Sequence, residues 1–173
     1  PELVIAFDST NEPPVIISDG GIGSARINVP ENQSAVTTVT ATDGDLDALT
    51  YSIIGGADST LFSIDPISGV LTFNTAPDFE TAADADTNGV YEVQVAASDD
   101  NGGIDVQAIA VSITDVNEAP TATHHTVITF EDTPYTFAAT DFGFTDVDTG
   151  DTLASVQITS LETIGALQLD GVD

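Results

Sequence analysis

Apolar residues recur at every second position along much of this chain. Leu49, Tyr51 and Ile53 alternate with polar neighbours, as do Phe62 and Ile64, then Tyr91, Val93 and Val95, then Ile109, Val111 and Ile113. A period of two marks strands with one buried face. Val36, Val39 and Ala41 lead into a polar cluster, and Val70-Leu71-Thr72-Phe73 follows an Asp65-Pro66-Ile67-Ser68-Gly69 turn. Gly69 permits the backbone reversal that Asp65 opens. Short strands separated by Gly, Pro, Asp and Asn predict an all-β chain built as a Greek-key β-sandwich. The weak helical signal is a single turn around residues 79–86. Tyr51, Tyr91 and Tyr135 are expected in the core or at its rim.

Charge changes this picture. There are 29 acidic residues, one basic residue (Arg26), no lysine and a formal charge of -28 on 173 residues. With 41% hydrophobic residues the chain still has enough apolar side chains for a core, which separates it from an acidic disordered tail. The acids gather in loops: Asp43-Gly44-Asp45-Leu46-Asp47, Asp78-Phe79-Glu80, Asp99-Asp100, Asp115-Val116-Asn117-Glu118 and Asp146-Val147-Asp148. Grouped carboxylates with Asn and backbone carbonyls beside them suit calcium, a hard cation that takes six to eight oxygens. Cysteine is absent, so metal takes the stapling role that disulfides have in small secreted domains. Low-affinity calcium sites fill outside the cell, so an extracellular, secreted or cell-surface location is expected. Nucleic acid is an unsuitable partner, because nothing basic can neutralise phosphate. No segment is apolar enough for membrane insertion as a spanning helix. The chain begins at Pro1 without a signal peptide and reads as a piece of something longer.

A repeat sets the organisation. Thr10-Asn11-Glu12-Pro13-Pro14 returns 106 residues later as Val116-Asn117-Glu118-Ala119-Pro120, and Thr42-Asp43-Gly44-Asp45 is echoed by Thr145-Asp146-Val147-Asp148. Residues 1–10 are expected to end a preceding domain with a strand at 2–7. Residues 11–118 form one complete domain, and 119–173 form a partial second sandwich.

The ordered motifs of the complete unit resemble a cadherin-type repeat. Val29-Pro30-Glu31-Asn32 is similar to the family's P-E-N, and Ala41-Thr42-Asp43-Gly44-Asp45 with Leu49-Thr50-Tyr51-Ser52-Ile53 to its A-x-D-x-D and Y-S-I. Phe62-Ser63-Ile64-Asp65 with Gly69-Val70-Leu71, Asp78-Phe79-Glu80, and Tyr91 through Asp99 follow in the family's order. Asp115-Val116-Asn117-Glu118-Ala119-Pro120 resembles its linker D-x-N-D-N-x-P, one residue shorter and with Glu118 in place of Asp. Phe79 stands where the family has Arg, and the chain has no Trp to support vertebrate strand-swap adhesion. The composition looks more like the cadherin-like repeats of large bacterial RTX-type surface adhesins. The second unit resembles the first half of a related bacterial repeat.

The resemblance implies where calcium sits. Glu31, Asp78, Glu80, Asp115, Asn117 and Glu118 would meet Asp146 and Asp148 of the next repeat. Asn11 and Glu12 would join Asp43, Asp45 and Asp99 at the other end, with Asp47 as an extra ligand. Asp47 stays an alternative ligand there, but its first reading, with Asp84, Asp86, Asp100 and Asp105, is solvated surface. Adjacent His124 and His125 on a strand would point to opposite faces and could not share an ion.

Catalysis is not expected. The carboxylates do not suggest a glycosidase cleft, and no G-x-S-x-G elbow accompanies the histidines. The leading reading is a non-enzymatic calcium-binding module of an extracellular adhesin, with partners among neighbouring domains or copies of itself. The alternatives are a filament or surface-assembly subunit joined by β-strand complementation, or a module that binds a cell-surface polysaccharide.

Overall fold

The computed structural model describes residues 10–158. The strand expected at 2–7 and the last part, 159–173, of the expected second sandwich lie outside these residues. The chain divides into two compact units, 1–116 and 117–173.

In the first unit the strands are β1 (Val15–Ile16), β2 (Ser24–Pro30), β3 (Ala35–Thr38), β4 (Ala41–Thr42), β5 (Thr50–Gly55), β6 (Phe62–Ile64), β7 (Val70–Phe73), β8 (Val90–Ser98) and β9 (Ile104–Thr114). They form a four-stranded sheet in the order β2-β9-β8-β5, a three-stranded sheet in the order β3-β7-β6, and the short pair β1-β4. The alternating residues do what their period predicts. Tyr91, Val93 and Val95 of β8 and Ile109, Val111 and Ile113 of β9 are buried and pack with Leu71, Phe73 and Phe62 of the other sheet. Phe73 joins the layers, with its ring centroid 4.5 Å from Phe62 and 5.2 Å, edge-on, from Tyr91.

The 79–86 segment differs from its weak helical signal. It consists of turns and bends, because its N–H groups go to side chains. Thr81 donates to Asp78 Oδ1 at 2.7 Å and Ala83 donates to the Tyr91 hydroxyl at 3.0 Å. A second departure is β2, which runs parallel to β9 in the register Ser24↔Ala108 through Pro30↔Thr114. Two parallel strands in register finish side by side, so Glu31 and Asp115, the next residues of each, emerge at one end of the sandwich. The β8–β9 hairpin and the β4–β5 loop emerge at the other.

The Asp65–Gly69 turn forms as its residues predict. Asp65 Oδ1 accepts the Ser68 N–H at 2.7 Å, the Ser68 hydroxyl at 2.8 Å and the Ile67 N–H at 3.1 Å, while Gly69 adopts φ +70°. These donors, Ser68 N–H foremost, hold the Asp65 carboxyl below its ordinary value. A folded-state carboxyl depressed in this way contributes stability that is present above the ordinary Asp pKa and is lost as pH falls through the lower folded value. Asp65→Ala is therefore expected to be less stable than the parent at neutral pH, with the gap closing below about pH 4. Denaturant melts along a pH series check this, and a gap independent of pH would refute it.

The second unit contains β10 (Thr121–Ala122) paired antiparallel with β11 (Phe144–Thr145), and a 3-10 turn at Ala139–Phe142. Phe137 packs edge-on against Tyr135 at 5.3 Å and lies 5.8 Å from Phe142. His124 and His125 follow β10 outside any strand, and His125 Nδ1 lies 3.0 Å from the Asp141 carbonyl oxygen.

Candidate metal centres

At the end where β2 and β9 finish together, Glu31 is 2% exposed. Its backbone N–H continues the ladder to Thr114 O at 3.0 Å, which turns the side chain inward. Oε2 accepts the Phe79 N–H and Oε1 the Val116 N–H, each at 2.9 Å. One carboxylate thus ties the 77–80 turn to the end of β9. Carboxylate oxygens of Glu31, Glu80 and Asp115 lie within 4.8 Å of one another. Asp78, assigned to the same set from sequence, is not among the gathered oxygens; it braces the turn through Thr81.

At the opposite end, Asp43 Oδ1 accepts the N–H groups of Asp45 and Asp47 at 2.8 and 3.2 Å, and Asp45 Oδ2 accepts the Glu12 N–H at 2.7 Å. A Cβ at Gly44 would displace the Glu12 carboxylate from its place beside this loop. Asp43, Asp45 and Asp47 bring oxygens within 4.8 Å of one another. Asp99 stands apart from that trio and is 3% exposed. It accepts from Asn11 Nδ2 at 2.7 Å and from the N–H groups of Asn101 and Gly103 at 2.8 and 2.9 Å. The Asn11 amide, helped by those backbone donors and opposed by burial, holds the Asp99 carboxyl below its ordinary value.

The second unit repeats this frame. Glu118 N–H donates to Asp148 Oδ2 at 2.9 Å, and Asp148 N–H to Asp146 Oδ1 at 3.1 Å. These bonds match Glu12 to Asp45 and Asp45 to Asp43. The strand pairs repeat as well: Val15↔Thr42 and Ile16↔Ala41 become Thr121↔Thr145 and Ala122↔Phe144. Asp151 joins Asp146 and Asp148, with oxygens within 4.8 Å. Asn117 turns its amide onto the Glu118 carbonyl at 2.6 Å.

These residues fit a divalent cation. Asp43 Oδ2 and Asp148 Oδ1 are buried and have no hydrogen-bond partner among the described residues. A buried carboxylate oxygen can only accept, and leaving it unsatisfied is costly. The chain's one Lys or Arg, Arg26, lies in β2 on the outward side of the four-stranded sheet. A hard ion bound by oxygens satisfies such atoms.

Three residues escaped the sequence reading. Asp47 was given to solvated surface, yet it brings an oxygen to those of Asp43 and Asp45. Asp151 carried a usable signal, a third acid just beyond Asp146-x-Asp148. Asp84 was expected to be solvated, yet it is 4% exposed. Its oxygens accept the Asn88 and Gly89 N–H groups at 2.7 and 3.3 Å. Burial pushes this carboxyl up, but Asn88, Asp86 and Gly89 together bring it below its ordinary value. Asp58, also 4% exposed, closes the same loop by accepting the N–H groups of Ala85 and Glu92 at 2.7 and 2.8 Å. Both acids hold backbone.

A family model for the cadherin domain matches residues 25–117. The chain is 38% identical over 100 residues to protocadherin Fat 2 of Rattus norvegicus, covering 56% of this chain and 2% of that protein. It is also 38% identical over 69 residues to halomucin of Haloquadratum walsbyi, covering 37% of this chain and 1% of that one. The chain thus spans a very small part of these relatives. The crystal structure of Drosophila N-cadherin EC1-4 superimposes with a TM-score of 0.51 at 27% identity, covering 65% of this chain and 27% of that one. With its sandwich, its repeated acidic loops and a family match over more than half of its residues, the chain belongs to the cadherin family, whose domains are calcium-binding modules of extracellular adhesion proteins.

Proposed function

We propose that this chain is a non-enzymatic calcium-binding module of a large extracellular adhesin, in which Ca2+ stiffens the succession of tandem repeats 11–118 and 119–173. The observation that carries this reading is the recurrence of one hydrogen-bonded frame at the start of each repeat: Glu12-Asp45-Asp43 and Glu118-Asp148-Asp146, each with a buried, unsatisfied Asp oxygen. A feature used once could be only a turn. Each repeat leaves one Asp oxygen of that frame buried and unsatisfied, on the first acid in one (Asp43) and on the second in the other (Asp148), which supports a binding role.

The chain's residues divide the work. Glu31 holds the ends of β2 and β9 and the 77–80 turn in one place, so that Glu80 and Asp115 converge on it. Asp78 sets the turn that carries Glu80. Asn117 and Glu118 continue directly from Asp115, so the connecting segment is itself part of the ligand set with Asp146 and Asp148. Asn11, Glu12, Asp43, Asp45 and Asp99 serve the preceding junction. Calcium supplies positive charge and oxygen coordination where the carboxylates otherwise repel, at about 1 kcal/mol per close pair in water-like surroundings and more where water is excluded. Among the described residues no helix is long and apolar enough to cross a membrane. The strongly acidic composition favours a bacterial surface protein within this reading.

The test combines Asp115→Ala with Glu80→Ala. Calorimetric titration should show fewer calcium ions bound, and solution scattering should show a chain that bends in calcium where the parent is extended. An unchanged calcium stoichiometry removes the assignment.

A further inference from the structure

The outer face of the four-stranded sheet is unlike the rest of this molecule. Cross-strand rows on that face read Arg26–Ala110–Glu92, then Ser24–Ala108–Gln94, then Val106–Ala96–Ser52, then Ile104–Ser98–Thr50. In a chain with 29 acids, the outward positions of these rows hold one carboxylate, Glu92, and the only Lys or Arg, Arg26. Both are exposed. The Arg26 side chain makes no hydrogen bond or ion pair among the described residues. Ile104 and Val106 are 59% and 38% exposed, large apolar side chains on a strand edge-to-edge with alanines. Between Arg26, Glu92 and Gln94, the small side chains of Ala108 and Ala110 floor an open depression of about 350 Å3.

We propose that this face docks a second copy of the chain, with a two-fold axis running along β9. The choice of occupant follows from charge and symmetry. Arg26 and Glu92 sit in one row on either side of Ala110, each about 4.8 Å away across the sheet. A two-fold axis along the middle strand exchanges left and right between facing sheets. It therefore lays each Arg26 over the Glu92 of the other copy and stacks Ile104 and Val106 on their own counterparts. An axis across the strands would instead oppose Arg26 to Arg26. Such an isologous contact closes at two copies and does not propagate. It is also where two chains of charge -28 can approach with least repulsion, since the face itself is neutral. With the axis on β9 the strands that face one another are β2, β9 and β8, and three strands about 4.8 Å apart and about 30 Å long offer roughly 400 Å2 per copy, which places the contact among weak, transient interfaces. Long-range repulsion between the copies is screened beyond about 8 Å at physiological ionic strength. The association is accordingly one of normal or raised salt, lost at low salt.

Sedimentation equilibrium on the full chain, in physiological salt and up to about millimolar protein, reads this directly. A monomer–dimer equilibrium is expected. Arg26→Glu and Glu92→Arg should each weaken it by at least about tenfold, because each places like charges in contact twice per dimer. The double variant R26E/E92R should restore it, and Val106→Asp should abolish it. The exchange variants alter only exposed side chains, and circular dichroism checks that each remains folded. A parent that stays monomeric throughout, single variants that dimerise as before, or a double variant that fails to recover would each overturn the proposal. Retention of a monomeric chain on an anionic polysaccharide column through Arg26 would overturn it in favour of a glycan.

Discussion

Glu31→Ala is expected to destabilise the first unit by about 3–6 kcal/mol in calcium and by clearly less in a chelator. The side chain is 2% exposed and accepts two backbone N–H groups, from Phe79 and Val116. Alanine leaves both donors without their acceptor, and a hydrogen bond to a charged group contributes about 1.5–3 kcal/mol. Against this stands relief of repulsion, since Glu31 shares its site with Glu80 and Asp115. That relief is about 1 kcal/mol per pair at high dielectric and up to about 4 where water is partly excluded. Without metal the two effects oppose each other, and the variant loses little. With calcium the repulsion is already quenched, the relief disappears and the full loss shows. Domains of this kind have only about 5–15 kcal/mol in hand. Thermal and denaturant melts of parent, Glu31→Ala and Glu31→Gln in calcium and in chelator decide the matter. Equal losses in both conditions would mean that Glu31 is only a backbone clamp.

Tyr91→Ala should lower stability by about 3–5 kcal/mol irrespective of calcium. The ring is 1% exposed, lies edge-on to Phe73 across the layers, and its hydroxyl accepts the Ala83 N–H at 3.0 Å. Removing it opens a cavity between the two sheets and frees the 82–89 loop at once. Tyr91→Phe separates the contributions. The ring stays, while a partly buried N–H loses its acceptor at about 1–3 kcal/mol. Hydrogen exchange at Ala83 should quicken in Tyr91→Phe while core strand protection holds. A phenylalanine variant as damaged as alanine would show that the hydroxyl, rather than the ring, holds the layers together.

The acidic loops were legible because each is contiguous: Asp43-x-Asp45 and Asp146-x-Asp148 announce themselves within three residues. Strands β5 to β9 were legible for the same reason, since alternation is local. Strand β2 carried alternation too, in Ala25, Ile27 and Val29, but a small residue and polar neighbours muted it. Asp84 shows the opposite limit. Nothing around Asp84-Ala85-Asp86 in sequence says that it is buried, because the loop that encloses it is closed by Asp58 from another part of the chain.

What the amino-acid order determined by itself was local: the period of two that makes strands, the turns, the acid-rich loops, and the 106-residue recurrence that makes repeats of them. Only the tertiary structure decided which of these meet. The parallel register of β2 on β9 brings Glu31 beside Asp115, 84 positions apart in sequence, at one end of the sandwich. It also lines up Arg26, Ala110 and Glu92 across one row of the outer face. Strand pairing over such separations is chosen by the fit of two buried faces, a property of the folded core that no window of sequence contains.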